Sequence, residues 1–304
     1  MTSPRSLQET FKTAFAKNFL DLVLPKDIEA ELLGKSGSLE VRLAVTHKDI
    51  KRAQKLRYRV FFEEMNAIPD LTSRLKRRDI DPFDAICDHL LVIDTAAPAK
   101  KKSGLPSLPH KPRVVGTYRL LRQDVAEQHS GFYSTQEFDL QPLLDRHAGL
   151  RFLELGRSCV DPAYRDKRTV ELLWHGIWAY VRKHQIDALF GCASFAGTDP
   201  DTLAVPLSFL HHHAQAKPDW QVKAQPFRAT PFTPRPADQV EMKSALNEMP
   251  PLIKAYMRVG ARFGSDVVID HQFGTSDVLV VLPICDIHPK YLGYFGSDGH
   301  RYAA

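Results

Sequence analysis

Apolar and polar residues alternate through 38–46 (SLEVRLAVT), the period-two pattern of a half-buried strand. The spacing then turns helical over 47–67 (HKDIKRAQKLRYRVFFEEMNA), where Ile50, Ala53, Leu56, Val60 and Phe61 share one stripe. Short apolar runs at 88–94 (DHLLVID) and 113–121 (RVVGTYRLL) read as two strands, expected to pair antiparallel. Between them, 96–112 is rich in proline, lysine and serine and predicts a surface loop.

A third strand, 150–160 (LRFLELGRSCV), runs through the turn DPAYRDKR into a helix over 169–184, with Val170, Leu173, Trp174, Ile177 and Val181 on its apolar face. A buried strand at 187–195 (DALFGCASF) follows, then a helix over 202–213 interrupted at Pro206. Residues 214–237 are proline-rich and read as linker; 250–264 reads as a helix ending at Gly264. The stretch 266–283 (DVVIDHQFGTSDVLVVLP) predicts two strands joined at FGTS. This is a mixed α+β domain over 38–290 with a linker-like insertion at 214–237, an N-terminal helical extension over 1–37 and a tail at 291–304. In the extension, Phe11, Phe15, Phe19, Leu20, Leu22 and Val23 suggest an amphipathic helix that caps the domain or lies on a membrane.

With 304 residues and 43% hydrophobic content, the chain can bury a sizeable core. No run approaches the about 18 apolar residues of a membrane-spanning helix, and the polar N-terminus lacks a secretory pattern. Cys87, Cys159, Cys192 and Cys285 fit no zinc or CxxC spacing and suit a reducing compartment. The net charge of +5 is gathered in patches such as 51–59, 74–78, 100–102 and 165–168. Nucleic acid, an acidic protein or an anionic lipid surface would each fit such patches; charge alone does not decide.

Three places carry candidate chemistry. The strand–turn–helix unit aims free backbone N–H groups into a turn holding Arg165, Lys167 and Arg168, with Thr169 expected as N-cap; this could bind a phosphate. Glu154 and Arg157 interrupt an apolar strand, and Gly156 between them offers a place for a bulge that would re-aim one. They could instead form internal ion pairs. Asp79, Asp81, Asp84 and Asp88 cluster within 79–88 and could hold a cation or serve as turn caps. Cys159 and Cys192, in apolar strands, read as inert buried thiols, and three consecutive histidines, 211–213, cannot converge on one ion from a helix.

Taken together, KLRYRVFFEEMNA, DPFD followed by CDHLLVID, and ELGRSCVDPAYR resemble blocks of the acyl-homoserine lactone synthases. KRTVELLWHGIWAY, DALFGCASFAGTDPD, LSFLHHH and VIDHQFGTSDVLVVLP resemble more specifically the ornithine N-acyltransferases of ornithine lipid synthesis, a GNAT-superfamily group often labelled haemolysin-like. The resemblance runs from about Leu39 to Pro283. It implies a GNAT-type twisted, mostly antiparallel mixed sheet with flanking helices. It also implies a bacterial, cytoplasmic enzyme, peripheral at the inner membrane if the N-terminal helix or the basic patches touch lipid. Its reaction would move a 3-hydroxyacyl group from acyl carrier protein to the α-amine of L-ornithine, with a separate O-acyltransferase completing the lipid. A lactone synthase acting on S-adenosylmethionine, or a non-catalytic protein binding carrier protein or membrane, is the alternative. Nucleic acid is not expected as a partner, and pore formation has no support in the sequence.

By the same resemblance Arg57 and Phe61 would shape the acceptor side, Asp81 and Asp84 would bind its cationic group, and Glu154 and Arg157 would flank the reacting carbonyl, Glu154 as base. Arg165, Arg168 and Thr169 would meet the phosphate of phosphopantetheine. Arginine and valine replace the glycines of the common coenzyme A turn at Arg168 and Val170, which favours a carrier-protein donor. No metal or redox cofactor is expected.

Overall fold

The computed structural model describes residues 31–97, 112–288 and 291. The strands β1 (Leu32–Ser36) and β2 (Leu39–Leu43) form a hairpin around Gly37, whose φ of 59° suits glycine. Helix α1 (His47–Tyr58) begins where the Thr46 hydroxyl caps the Asp49 N–H, and it widens into a π-helical turn over Arg59–Glu64. Then come α2 (Leu71–Lys76), β3 (Asp88–Asp94), β4 (Arg113–Arg122), the short α3 (Gln123–Ala126), β5 (Phe138–Asp139) and α4 (Gln141–Arg146). The central unit is β6 (Phe152–Val160), α5 (Lys167–His184) and β7 (Ala188–Ala196). After it lie α6 (Ala204–His213), β8 (Lys223–Ala224), β9 (Ala229–Thr230), α7 (Met242–Glu248), α8 (Pro251–Val259), β10 (Arg262–Phe263), β11 (Val267–Asp270) and β12 (Thr275–Pro283).

The main sheet runs β1-β2-β3-β4-β6-β7-β12-β11-β9, with β10 also against β12. Every neighbouring pair is antiparallel except β6 and β7. These two pair only at Phe152↔Ala188, Leu153↔Leu189 and Glu154↔Phe190, although both strands continue beyond. Their backbones nearly touch at the end of the pairing: a Cβ on Gly191 would stand 2.3 Å from the Leu155 carbonyl oxygen. Past that point the sheet splits, and the β7-facing edge of β6 has no partner strand.

Alternation sends Leu90, Val92, Leu153, Leu155 and Leu189 to the face packed by Leu173, Trp174 and Ile177 of α5 and by Ile253 and Tyr256 of α8. The opposite face holds Leu91, Ile93 and Val114 under Ala53 and Leu56 of α1, and Phe152, Ala188 and Phe190 under Phe132 and Phe138.

Several expected boundaries shift. The sheet already begins at Leu32, inside the expected extension 1–37; the amphipathic stretch around Phe11–Val23, the greater part of the 96–112 loop and, apart from residue 291, the tail 291–304 lie outside the described residues. Residues 214–237 are no loose linker, because Ala216, Trp220, Val222 and Ala224 are buried in the core and the segment supplies β8 and β9. Pro206 sits in the first turn of α6, where proline leaves no carbonyl partner wanting, so it does not interrupt the helix. Helix α8 ends at Gly260, which takes φ 109°, rather than at Gly264. Val170 is 36% exposed and leaves the apolar stripe of α5.

Candidate active site

The site grows from an irregularity in β6. Thr117 pairs with Cys159 and Arg119 with Gly156, so Arg157 and Ser158 together oppose Tyr118 alone. The bulge was expected at Gly156. That residue keeps its pairing, and Arg157 takes the left-handed backbone instead, with φ 51°. A non-glycine residue in that conformation costs about 1 kcal/mol or more and must be held by its surroundings. Arg157 is held: its guanidinium lies 4.9 Å from the Tyr133 ring centroid and 4.6 Å from that of Phe273, and Nη2 donates to Asp81 Oδ2 at 3.1 Å.

The acidic segment folds against this bulge, but its carboxylates are engaged by arginines of the chain itself. Arg57, 0% exposed, donates through Nε to Asp79 Oδ2 at 2.7 Å and through Nη2 to Asp84 Oδ1 at 2.8 Å. Gln54 Nε2 donates to Asp84 Oδ2 at 2.9 Å. Asp81 accepts from Arg119 as well as Arg157. Burial alone would raise the Asp81 pKa, but the charges of Arg119 and Arg157 hold it well below the usual carboxylate range. Asp79, Asp81 and Asp84 are thus matched by Arg57, Arg119 and Arg157 in one buried array. Asp81 and Asp84, expected at a substrate cation, and Arg57, expected at the acceptor, are here paired within this array, and the three build the floor on which Arg157 stands. Phe61, half-buried, packs edge-on to Phe273 at 5.6 Å and so supports the ring that covers Arg157.

Glu154 is 4% exposed. Its Oε1 accepts from the Ser134 N–H at 2.7 Å and the Ser134 hydroxyl at 2.5 Å, and its Oε2 from the Tyr133 N–H at 2.8 Å. Burial pushes its pKa up, against these hydrogen bonds, which favour the charged form. The carboxylate is thus turned toward the Tyr133–Ser134 turn. The hydroxyl also lies 3.3 Å from Cys192 Sγ.

At the helix after β6, the N-cap is Asp166, not Thr169. The Asp166 carboxylate accepts from the Thr169 N–H at 2.8 Å, because Thr169 is turned fully into the core. Arg165 is clamped by Glu64, with Nη1 at 2.5 Å and Nη2 at 2.8 Å, while Arg168 Nη1 lies against Gly37 of the β1–β2 hairpin. The three residues expected to meet a phosphate are therefore near in sequence but differently employed, and Asp166 already holds one of the helix's first N–H donors.

Where β6 and β7 part, a narrow apolar cleft opens, lined by Leu155, Leu189, Gly191, Trp174 and Tyr256. Cys192, which also lines this cleft, donates to Glu137 Oε2 at 3.2 Å. Burial pushes the Cys159 and Cys192 thiols up, which opposes a thiolate nucleophile at either. One oxygen each of Glu137, Asp270 and Asp277 lies within 4.8 Å of the others, the donor set among the described residues best placed to hold a cation. The sequence reading missed this group and the Tyr133–Ser134 turn. Asp277 stands in the apolar strand TSDVLVVLP as Glu154 does in its own, and that signal was legible.

A bulged central strand beside a sheet that splits between two parallel neighbours defines an acyltransferase of the GNAT class. The sequence model of the acetyltransferase (GNAT) domain matches residues 56–175, from α1 into α5. The L-ornithine N(alpha)-acyltransferase of Brucella abortus is 51% identical over 90% of this chain and 94% of its own length, and that of Agrobacterium fabrum is 50% identical over 89% of each. The chain belongs to the L-ornithine N(alpha)-acyltransferase family. An N-acyl amino acid synthase from uncultured soil microbes superposes on 82% of this chain and 92% of its own, with 10% identity and a TM-score of 0.43, too remote to add to that assignment.

Proposed function

We propose that this chain transfers a 3-hydroxyacyl group from acyl carrier protein to the α-amine of L-ornithine, forming the single-chain precursor that a separate O-acyltransferase would complete. The observation that carries the ornithine part of this reading is the match, at 50–51% identity over about nine-tenths of the chain, to relatives named L-ornithine N(alpha)-acyltransferase. Three features support the donor. The turn 165–170 lacks the glycines that wrap a pyrophosphate, the basic patches suit an acidic carrier, and the cleft between β6 and β7 is apolar.

In the reaction, the neutral amine nitrogen attacks the thioester carbonyl carbon. The C–N bond forms, the C–S bond breaks, and the proton lost by nitrogen ends on the departing pantetheine thiol. An α-amine titrates near 8, so a modest proton acceptor suffices. In this proposal the Ser134 hydroxyl, backed by Glu154, takes that proton and returns it. The unpaired edge of β6 at the bulge offers N–H groups to the developing oxyanion. Arg157, whose charge Asp79 and Asp81 already answer, stands beside it as the residue that holds the bulge. The proposed chemistry uses no metal or redox cofactor. No helix among the described residues is long and apolar enough to cross a membrane.

The decisive test incubates purified protein with 3-hydroxyacyl carrier protein and a panel of amino acids, with products read by mass spectrometry. Nα-acylornithine is expected. Acyl-homoserine lactone from S-adenosylmethionine, or no acylated amine at all, would refute the proposal.

A further inference from the structure

The Asp79–Asp84 segment cannot seat the acceptor's second amine, since the chain's own arginines neutralise it. A different group of carboxylates lacks such neutralisation. Glu137 follows the turn that holds Glu154, Asp270 ends β11, and Asp277 lies in β12 opposite Ser194 of β7. Glu137 and Asp277 are buried and Asp270 is half-buried, and one carboxylate oxygen of each lies within 4.8 Å of the others.

The cation nearest them is weakly engaged: Arg228 Nη2 stands 3.6 Å from Glu137 Oε1 while donating to the Ile269 carbonyl at 3.1 Å. Asp270 spends Oδ1 on the Gln272 and Phe273 N–H groups, at 2.8 and 3.0 Å. No hydrogen bond of good geometry reaches Asp277 Oδ1 or the Thr275 hydroxyl two residues away on the same face of β12, although the Ser194 and Thr275 hydroxyls face the Asp277 carboxylate. A buried carboxylate oxygen left without a well-made hydrogen bond calls for an explanation such as a ligand.

We propose that Glu137, Asp270 and Asp277 seat the side-chain ammonium of the acceptor amino acid, with the Asp277 oxygen as the fixed acceptor at the bottom. The inference rests on the ornithine reading above and extends it to the determinant of acceptor choice. An ammonium has three donors, one for each carboxylate. A hard divalent cation, its shell completed by water, is the competing occupant that the calorimetric arm below distinguishes. The seat is also joined to the reaction centre. Cys192 bonds Glu137 on one side and meets Ser134 on the other, and Ser134 bonds Glu154.

The test compares kcat/KM for L-ornithine and L-norvaline, which shares the carbon skeleton but lacks the second amine, in the wild-type protein, Asp277→Asn and Asp270→Asn. The wild type should favour ornithine by at least about a hundredfold, and either variant should collapse that ratio to within about tenfold. Asp270→Asn, at the half-buried position, keeps the test open if Asp277→Asn does not fold. An ornithine preference unchanged in both variants overturns the seat while leaving the acylation of ornithine standing. A wild type that acylates other amines but not ornithine overturns both. Calorimetry with magnesium or calcium alone adds a third arm: saturable binding lost in Asp277→Asn, with the acceptor ratio unmoved, would make the group a metal site and overturn the seat.

Discussion

Ser134 donates to Glu154 Oε1 twice, from its backbone N–H at 2.7 Å and from its hydroxyl at 2.5 Å. The Glu154 charge therefore organises the turn that carries Tyr133, Ser134 and Glu137 before it takes part in any chemistry. Tyr133 covers Arg157, and Glu137 enters the acidic group beside Cys192. One buried carboxylate thus ties the reaction centre to both of its flanks.

Glu154→Gln should lower turnover about a hundredfold and also lower the melting temperature, because the new amide N–H₂ meets N–H donors where an acceptor stood. Ser134→Ala should lose turnover with a smaller loss of stability, since two backbone donors to Glu154 remain. Steady-state kinetics beside thermal melts separate the two effects. Wild-type turnover in Ser134→Ala would remove the relay.

Arg57→Leu should destabilise the fold by about 3–5 kcal/mol, since it leaves Asp79 and Asp84 buried without their cation. Denaturant titration measures this. A loss below about 1 kcal/mol would mean that the array is not what fixes the acidic segment.

Gly191→Ala should part β6 from β7 where they last pair, because the added methyl would sit 2.3 Å from the Leu155 carbonyl oxygen. A cost of at least about 1–3 kcal/mol is expected, with activity falling further than stability, as the cleft wall moves. Unchanged kinetics would show that the split tolerates a wider gap.

The acidic group makes stability depend on pH. Burial, with the Asp277 charge second, pushes Glu137 up to about 7; burial, with Asp270 adding to it, pushes Asp277 up to about 6, although Ser194, Thr275 and Arg157 act the other way. Arg228 and the Cys192 thiol face Glu137 and also lower it. Raised carboxylate pKa values favour the protonated folded state. Their stabilisation is complete below the unfolded pKa values of about 4 and is lost as the pH rises through about 6 to 7. The ligand-free protein should therefore melt at a lower temperature near pH 8 than near pH 5 through this contribution, and Glu137→Gln should flatten that slope. Ornithine should raise the melting temperature more at the higher pH, where the acids are charged.

Much of the architecture was legible in the chain. The alternation at 38–46, 88–94 and 113–121 and the helical stripe through Ile50, Ala53 and Leu56 are local patterns, and local patterns survive into the fold. The charges at Glu154 and Arg157 marked β6 because charge in an apolar strand is costly to bury. The N-cap was less legible: Asp166 and Thr169 both suit the position, and the choice fell on Asp166 because Thr169 packs inward.

What the sequence by itself determined is the order and type of most elements, the family, and the strand on which the chemistry stands. Only tertiary structure decided which charges cancel. Arg57 and Asp84 lie 27 residues apart, and Glu137 and Asp277 come from distant segments of the chain. Whether a carboxylate is neutralised or left waiting depends on distances of a few ångströms between such segments, and chain spacing holds no record of those.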